Sequence, residues 1–256
     1  MSRNLQAAAF AAAISVFTVI SMQGARAAEI KVISANSPRA VLNDLTGKFE
    51  SSSGHKLTIA VTETGEIKQR ILGGANYDVI ILPTATANEL AQLGKIAAGS
   101  LVPIVRTSFG MAVRAGAARP DIDSVDAFKR SLLAAQSILI TDPATGGISG
   151  VHFMEVLGRL GIADEMKPKL VLNRGGGYHA ERIAKGEADL AVQAEHEIRC
   201  VAGIDFVPYP AEFQRAVTFV AGIGAGSKDA AARQFVEFLR GPDAVSVIKA
   251  KCLQPG

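Results

Sequence analysis

The sequence predicts an α/β protein of two Rossmann-like lobes joined by a two-stranded hinge. Three observations carry this. After residue 27, short β-branched runs alternate with amphipathic segments, the pattern of βα units on a mostly parallel sheet. The first βα series stops near residues 101–106, and a new strand begins near Phe109. A second return point lies near residues 215–221, so the first lobe resumes late in the chain. These predict a discontinuous first lobe, 28–106 plus 218–256, with a second lobe, 107–217, inserted into it. Two crossovers of that kind make a hinge, and the cleft between the lobes is the expected binding site.

The first segment reads as an export signal rather than as part of the fold. Met1 and Arg3 open a short positive stretch, residues 7–22 carry no charge, and Gln23-Gly24-Ala25-Arg26-Ala27 closes with small residues. That order is an n-region, an h-region and an A-x-A cleavage site, placing cleavage after Ala27 and the working protein in the periplasm. The apolar run is shorter than the roughly 20 residues of a permanent transmembrane helix. No cysteine follows the cleavage site directly, which argues against a lipoprotein. Loss of residues 1–27 removes Arg3 and Arg26 and no acid, lowering the formal charge from +3 to +1. With that small charge, no Trp and no Lys/Arg stripe, a nucleic-acid partner is excluded.

Strands are read at 30–33, 57–61, 79–82, 110–113, 138–141, 170–172, 190–193, 206–208 and 217–221. Helices are read between them at 38–51, 66–72, 87–94, 125–135, 149–160 and 179–185, and two more, 228–239 and 242–250, close the chain. Ser37 before Pro38 is an expected N-cap with proline at the first helical position. Ser124 before Val125, with Asp126 in the first turn, is another helix start, and Gly94 and Gly241 are expected stops. Cys200 and Cys252 lie in an exported chain, where thiols are usually oxidised. A disulfide between them would be worth about 3–4 kcal/mol; two free buried thiols are the alternative.

Three junctions share one pattern, a strand running into a turn of small hydroxyl or glycine residues with a helix starting at once. They are Ser34-Ala35-Asn36-Ser37-Pro38, Thr62-Glu63-Thr64-Gly65-Glu66, and the loop from Thr141-Asp142-Pro143 through Gly146-Gly147-Ile148-Ser149 to Gly150. Such junctions lie at the carboxyl ends of parallel strands, where ligands bind. Each helix start offers unpaired N–H groups and the positive end of a dipole to an anion. Taken singly, Ser37 and Thr64 are also explained as helix caps. Three together point to an anion gripped mostly by neutral donors.

On these residues the chain resembles the molybdate-binding type of periplasmic solute-binding protein, a type II, two-lobed family that serves ABC importers. Ser37 matches the family's first ligand serine. Glu63-Thr64-Gly65-Glu66-Ile67 matches the second ligand turn, with Thr64 keeping the hydroxyl. Residues 73–79 resemble the segment in which an Asp leads into the third strand. Asp142-Pro143 with the glycine turn to Gly150 matches the second-lobe loop, and Gly186-Glu187-Ala188-Asp189 precedes the strand returning to the cleft. One departure matters: that strand ends with a cleft-facing Tyr in molybdate binders and with Gln193-Ala194 here, and Ala194 cannot donate. Arg39, Arg174, Tyr178, His179 and Gln193 lie beside the cleft-facing turns instead, and guanidinium groups suit a carboxylate better than a neutral-donor oxyanion site.

The expected ligand set is therefore Asn36, Ser37, Arg39, Thr64, Gly147, Ser149, Arg174 and Tyr178, with no metal and no cofactor. The expected function is capture of a small anion, either a molybdate-like oxyanion or a small organic carboxylate. Delivery to the membrane permease of an ABC importer follows from the resemblance, and a monomer is the expected state. The rival is an enzyme, because the fold also resembles a periplasmic aconitate isomerase. There Arg39 and Arg174 would grip carboxylates, and His179, His152 or Glu63 would serve as base. A ligand-free interaction domain is a third class. Gly222-x-Gly224-x-Gly226 lacks the βαβ unit and acid of a dinucleotide fingerprint. Gly175-Gly176-Gly177 lacks a following Lys-Ser or Lys-Thr. Glu195-His196-Glu197 with Cys200 lacks a second ligand group at metal-binding spacing, and no G-x-S-x-G elbow is present.

Overall fold

A computed structural model describes residues 27–174, 179–227 and 230–256. The reading of residues 1–27 as a signal, apart from Ala27, therefore lies outside the described residues, as do Gly175-Gly176-Gly177 and Tyr178. The chain opens with β1 (Glu29–Ala35), α1 (Arg39–Ser53), β2 (Lys56–Thr62), α2 (Thr64–Leu72), β3 (Val79–Pro83) and α3 (Thr84–Gln92), followed by the long β4 (Val102–Arg114). Next come α4 (Val125–Ala134), β5 (Ile138–Thr141), α5 (Ile148–Arg159), α6 (Ala163–Met166), β6 (Leu170–Asn173), α7 (His179–Ala184), β7 (Leu190–Ala194), α8 (Glu195–Arg199) and β8 (Ile204–Pro208). Finally β9 (Ala216–Ile223), α9 (Ala230–Phe238), α10 (Pro242–Ala250) and β10 (Gln254–Pro255) complete it. Among the described residues, no helix is long and apolar enough to cross a membrane.

The strands run in the order β2-β1-β3-β9-β4-β7-β5-β6, with β8 and β10 also paired to β4. Two parallel groups flank an antiparallel centre: β1 is parallel to β2 and β3, and β5 to β6 and β7, whereas β9 and β4 run against their neighbours. β3 reads Val-Ile-Ile-Leu-Pro and is buried throughout, as a strand covered by helices on both faces must be. The sequence suggests a break between residues 106 and 109, yet β4 is one continuous strand. Its residues up to Ser108 pair with β9, and from Phe109 onward it pairs with β7 and β8. The hydrophobic core divides at the same place. One cluster gathers Ile30, Phe49, Val79, Phe219, Phe235 and Leu253, and separate clusters gather Phe109, Phe128, Phe153 and Val192, and Ala112, Ala191, Ile198 and Ile204. β4 and β9 are the two connections between the lobes.

Helix ends follow local chemistry, with two corrections. Ser124 caps α4, its side chain accepting the Ala127 N–H at 3.1 Å. Ser37 caps nothing: Pro38 occupies the boundary of α1, and no side chain bonds the first turn. Gly94 closes the first helical series in the left-handed region, at φ +68°. Gly241, at φ −69°, starts α10 rather than ending α9. The Cys200–Cys252 disulfide forms, with Cα atoms 6.3 Å apart. Cys200 follows α8 and Cys252 follows α10, so it joins the two lobes beside β4, where β10 pairs with Val105 and Arg106.

Candidate functional site

Two of the three predicted turns, and part of the third, meet at one cavity of ≈ 50 Å³. By the roughly 10–15 Å³ that one water occupies in such a measure, it has room for about three to five waters. On the first-lobe side, β1 delivers Asn36, Ser37 and Arg39. Because Pro38 takes the helix boundary, the Ser37 hydroxyl is left uncommitted: among the described residues it makes no hydrogen bond and lines the cavity. Asn36 links a cation to an anion. Its Nδ2 donates to Glu63 Oε1 at 2.5 Å, and its Oδ1 accepts from Arg39 Nη2. Glu63 ends the turn after β2, and its main-chain oxygen accepts the first helical bond of α2, from the Ile67 N–H. The N–H groups of Thr64, Gly65 and Glu66 are thus left without helical partners. Burial holds the Glu63 carboxyl above the usual range, with the Asn36 hydrogen bond and the Arg39 charge pulling it down. Thr64 is buried and lines the same cavity.

On the second-lobe side, β5 ends at Thr141 and the chain turns through Pro143–Thr145 into α5. Asp142 accepts the Ala144 N–H at 2.9 Å and fixes this turn. The first helical bond of α5 runs from the Val151 N–H to Gly147 O, so the N–H groups of Ile148, Ser149 and Gly150 are the open donors. Ser149 Oγ lies 3.2 Å from Thr141 Oγ1, and both residues line the cavity. The glycines here are required by close approach. A Cβ on Gly150 would stand 1.9 Å from Thr141 O, and one on Gly147 would stand 2.2 Å from Thr141 Cγ2.

The two sides touch backbone to backbone. A Cβ on Gly65 would lie 2.9 Å from Gly146 Cα and 2.9 Å from Thr145 O; one on Gly146, itself at φ +73°, would lie 2.6 Å from Gly65 Cα. The cleft is therefore closed.

Its floor comes from α7, β7 and α8. His179 is fully committed: Nδ1, facing a carbonyl, donates to Val192 O at 3.1 Å, which leaves Nε2 to accept from Asn173 Nδ2 at 3.1 Å. Burial holds the ring neutral, with its pKa lowered to about 4. Gln193 Oε1 accepts the Ala180 N–H at 3.3 Å, and Ala194 lines the cavity with no side-chain donor. Glu197, on α8, lines the cavity as well. Burial raises its carboxyl to about 7; the Glu63 charge adds to that rise, against the Ala194 backbone, Arg39 and the Gln193 amide. Phe109, Ile148 and Phe219 supply the apolar part of the wall.

Of the expected ligand residues, Asn36, Ser37, Arg39, Thr64 and Ser149 line the cavity, and Gly147 forms its turn. Arg174 is outside it: the side chain is 78% exposed, and Nε donates to Asp142 Oδ2 at 2.7 Å. Tyr178 lies outside the described residues. His152 is also away from the cavity, its Nε2 donating to Phe213 O at 2.9 Å. Glu197 was not expected. The signal that reaches it is a further strand-into-helix junction, Gln193-Ala194-Glu195, which lacks the small hydroxyl and glycine residues of the other three.

Comparison with known proteins agrees with this architecture. A family model described as bacterial extracellular solute-binding protein matches residues 30–251. An aconitate isomerase from Pseudomonas sp. is 29% identical over 242 residues, covering 88% of this chain and 87% of its own. The molybdate-binding protein ModA of Azotobacter vinelandii is 28% identical over 232 residues, covering 88% of this chain and 90% of its own. Among solved structures, the periplasmic molybdate-binding protein of Azotobacter vinelandii superimposes with a TM-score of 0.71 at 24% identity, covering 89% of this chain and 99% of that one.

Proposed function

The chain belongs to the bacterial extracellular solute-binding proteins, and from that premise we propose that it captures a small organic carboxylate in the periplasm and delivers it to the permease of an ABC importer. The observation that carries the ligand class is the make-up of the cavity. Open helix N–H groups and the hydroxyls of Ser37, Thr64 and Ser149 suit any small anion. The Arg39 guanidinium and the alanine at position 194 favour a carboxylate over a tetrahedral oxyanion. Arg39 and the neutral donors hold the ligand, Phe109 and Phe219 exclude water, and an acid larger than the cavity requires the lobes to part. Isothermal calorimetry tests this with mono-, di- and tricarboxylates beside molybdate, tungstate and sulfate. A carboxylate that binds more tightly than all three oxyanions supports the reading, and preference for molybdate defeats it.

A second reading, an isomerase acting on a tricarboxylate such as aconitate, has one observation in its favour. Of the three bases the sequence offers, Glu63 alone meets the cavity with an oxygen open among the described residues: His179 has both nitrogens engaged, and His152 is elsewhere. Glu63 would take the proton from one allylic carbon, and a carboxyl would return one at the other end. Incubation with cis- and trans-aconitate decides it; no interconversion retires this reading.

A further inference from the structure

The cavity contains more negative charge than an anion site should. Arg39 is its one cation among the described lining residues, while Glu63 and Glu197 both face it, Glu63 from the first lobe and Glu197 from the second. Fully ionised, the three amount to −1 before any ligand enters, and a carboxylate ligand makes the balance more negative. Like charges confined to one water-poor site do not all stay ionised; one takes a proton. We propose that the closed cleft takes up one proton together with its anionic ligand, the proton residing on the carboxyl pair that the two lobes bring to one cavity. This rests on the reading that the ligand is an anion.

The surroundings identify Glu197 as the member that holds the proton. Glu63 has the Asn36 amide and, through it, Arg39 to stabilise its charge. Glu197 faces the Glu63 charge and Arg39 across the cleft, and the Gln193 amide from β7 beside it. His179 of α7 is neutral with both nitrogens occupied. On α8 itself, His196 is buried, neutral and bonded to Thr107 of β4, and Glu195 is engaged by Ser108 and Arg199. Among the described residues the cations of α8 and α7 are engaged elsewhere, Arg199 by Glu195 and Arg182 by Glu187, and burial already places the titration of Glu197 near neutrality. A protonated Glu197 also gains an O–H donor, which converts a repelling group into one that can bind a ligand oxygen. Mildly acid surroundings then load the protein, and alkaline surroundings empty it.

Two measurements on the full chain test this. The first follows glutamate side-chain carboxyl carbons by NMR titration without ligand. One carboxyl is expected to titrate near 7, to vanish in Glu197→Gln and to titrate lower in Glu63→Gln. The second is calorimetry with malonate, citrate and cis- and trans-aconitate, in two buffers of different ionisation enthalpy above neutral pH. The expected result is about one proton taken up per ligand and binding that weakens up to about tenfold per pH unit, both lost in Glu197→Gln. Binding without proton uptake overturns the proposal, and so does a free protein in which every glutamate titrates in the ordinary range. If no acid binds while the NMR midpoint stays near neutral, the carboxyl pair stands and the carboxylate reading fails instead.

Discussion

The two walls of the cleft solve the same problem with different materials. The first-lobe wall is a bonded chain of charge, Arg39 to Asn36 to Glu63, with the hydroxyls of Ser37 and Thr64 beside it, neither hydrogen-bonded among the described residues. The second-lobe turn is rich in glycine and lines the cavity with uncharged Thr141, Ile148 and Ser149, and it presents the start of α5 where side chains would block the approach. Selectivity between anions is therefore expected to come from the first wall and closure from the second. The lobes differ below the surface too. The second holds three buried histidines whose pKa values burial lowers, His152, His179 and His196, the last two to about 4.

That last difference predicts how stability depends on pH. A histidine whose folded pKa is depressed contributes its full stability above the unfolded value of about 6.5 and loses it as pH falls towards 4. The loss is up to about 1.4 kcal/mol per pH unit for each. Glu197, raised to about 7, works in the opposite direction, losing stability as pH rises from about 4.5 to 7, but it is one group against three. Hydrogen exchange at pH 7.5 and pH 5 should show protection falling mainly in residues 109–213. An even loss across both lobes would break the contrast. Next comes the Cys200→Ser, Cys252→Ser double variant, expected to lose about 3–4 kcal/mol of stability. It should also split thermal unfolding into two steps if the bond couples the lobes; one sharp transition would say that β4 and β9 suffice.

Gly146→Ala tests closure itself. Its Cβ meets Gly65, and its backbone is in the left-handed region, so ligand affinity should fall about 100-fold, with small-angle scattering reporting a more open molecule. Unchanged affinity would show that the observed contact is not needed for binding. The smallest effect separates the two serines. Ser37→Ala removes an uncommitted donor and should cost about five- to tenfold in affinity. Ser149→Ala should cost less, because its hydroxyl is shared with Thr141. Equal losses would erase the distinction between the walls.

Much of this was legible in the sequence, because alternating βα units and turn residues report local structure directly. The strand at 138–141 and the helix at 242–250 match β5 and α10 to the residue. Ser37, Thr64 and Ser149 stand out because a small hydroxyl at a helix start has few explanations. β4 was not read whole, since a strand that changes partners at Ser108 and Phe109 also changes which faces are covered, and the alternation slips there. α8, five residues long, is too short to show a period, which hid Glu197. Arg174 was expected at the cleft on sequence proximity. Asp142, needed to fix the turn, takes its guanidinium instead.

The meeting of Gly65 with Gly146 has a consequence for timing. A latch built from side chains must freeze rotamers each time it shuts and release them each time it opens. Two glycines in contact have none to freeze. Shutting is then expected to follow the bending of β4 and β9, with no side-chain rotamers to fix at the latch. On the proposed function, how long a captured molecule stays is then expected to be tunable at Ser37, Thr64 or Arg39 without retuning the rate at which the lobes meet.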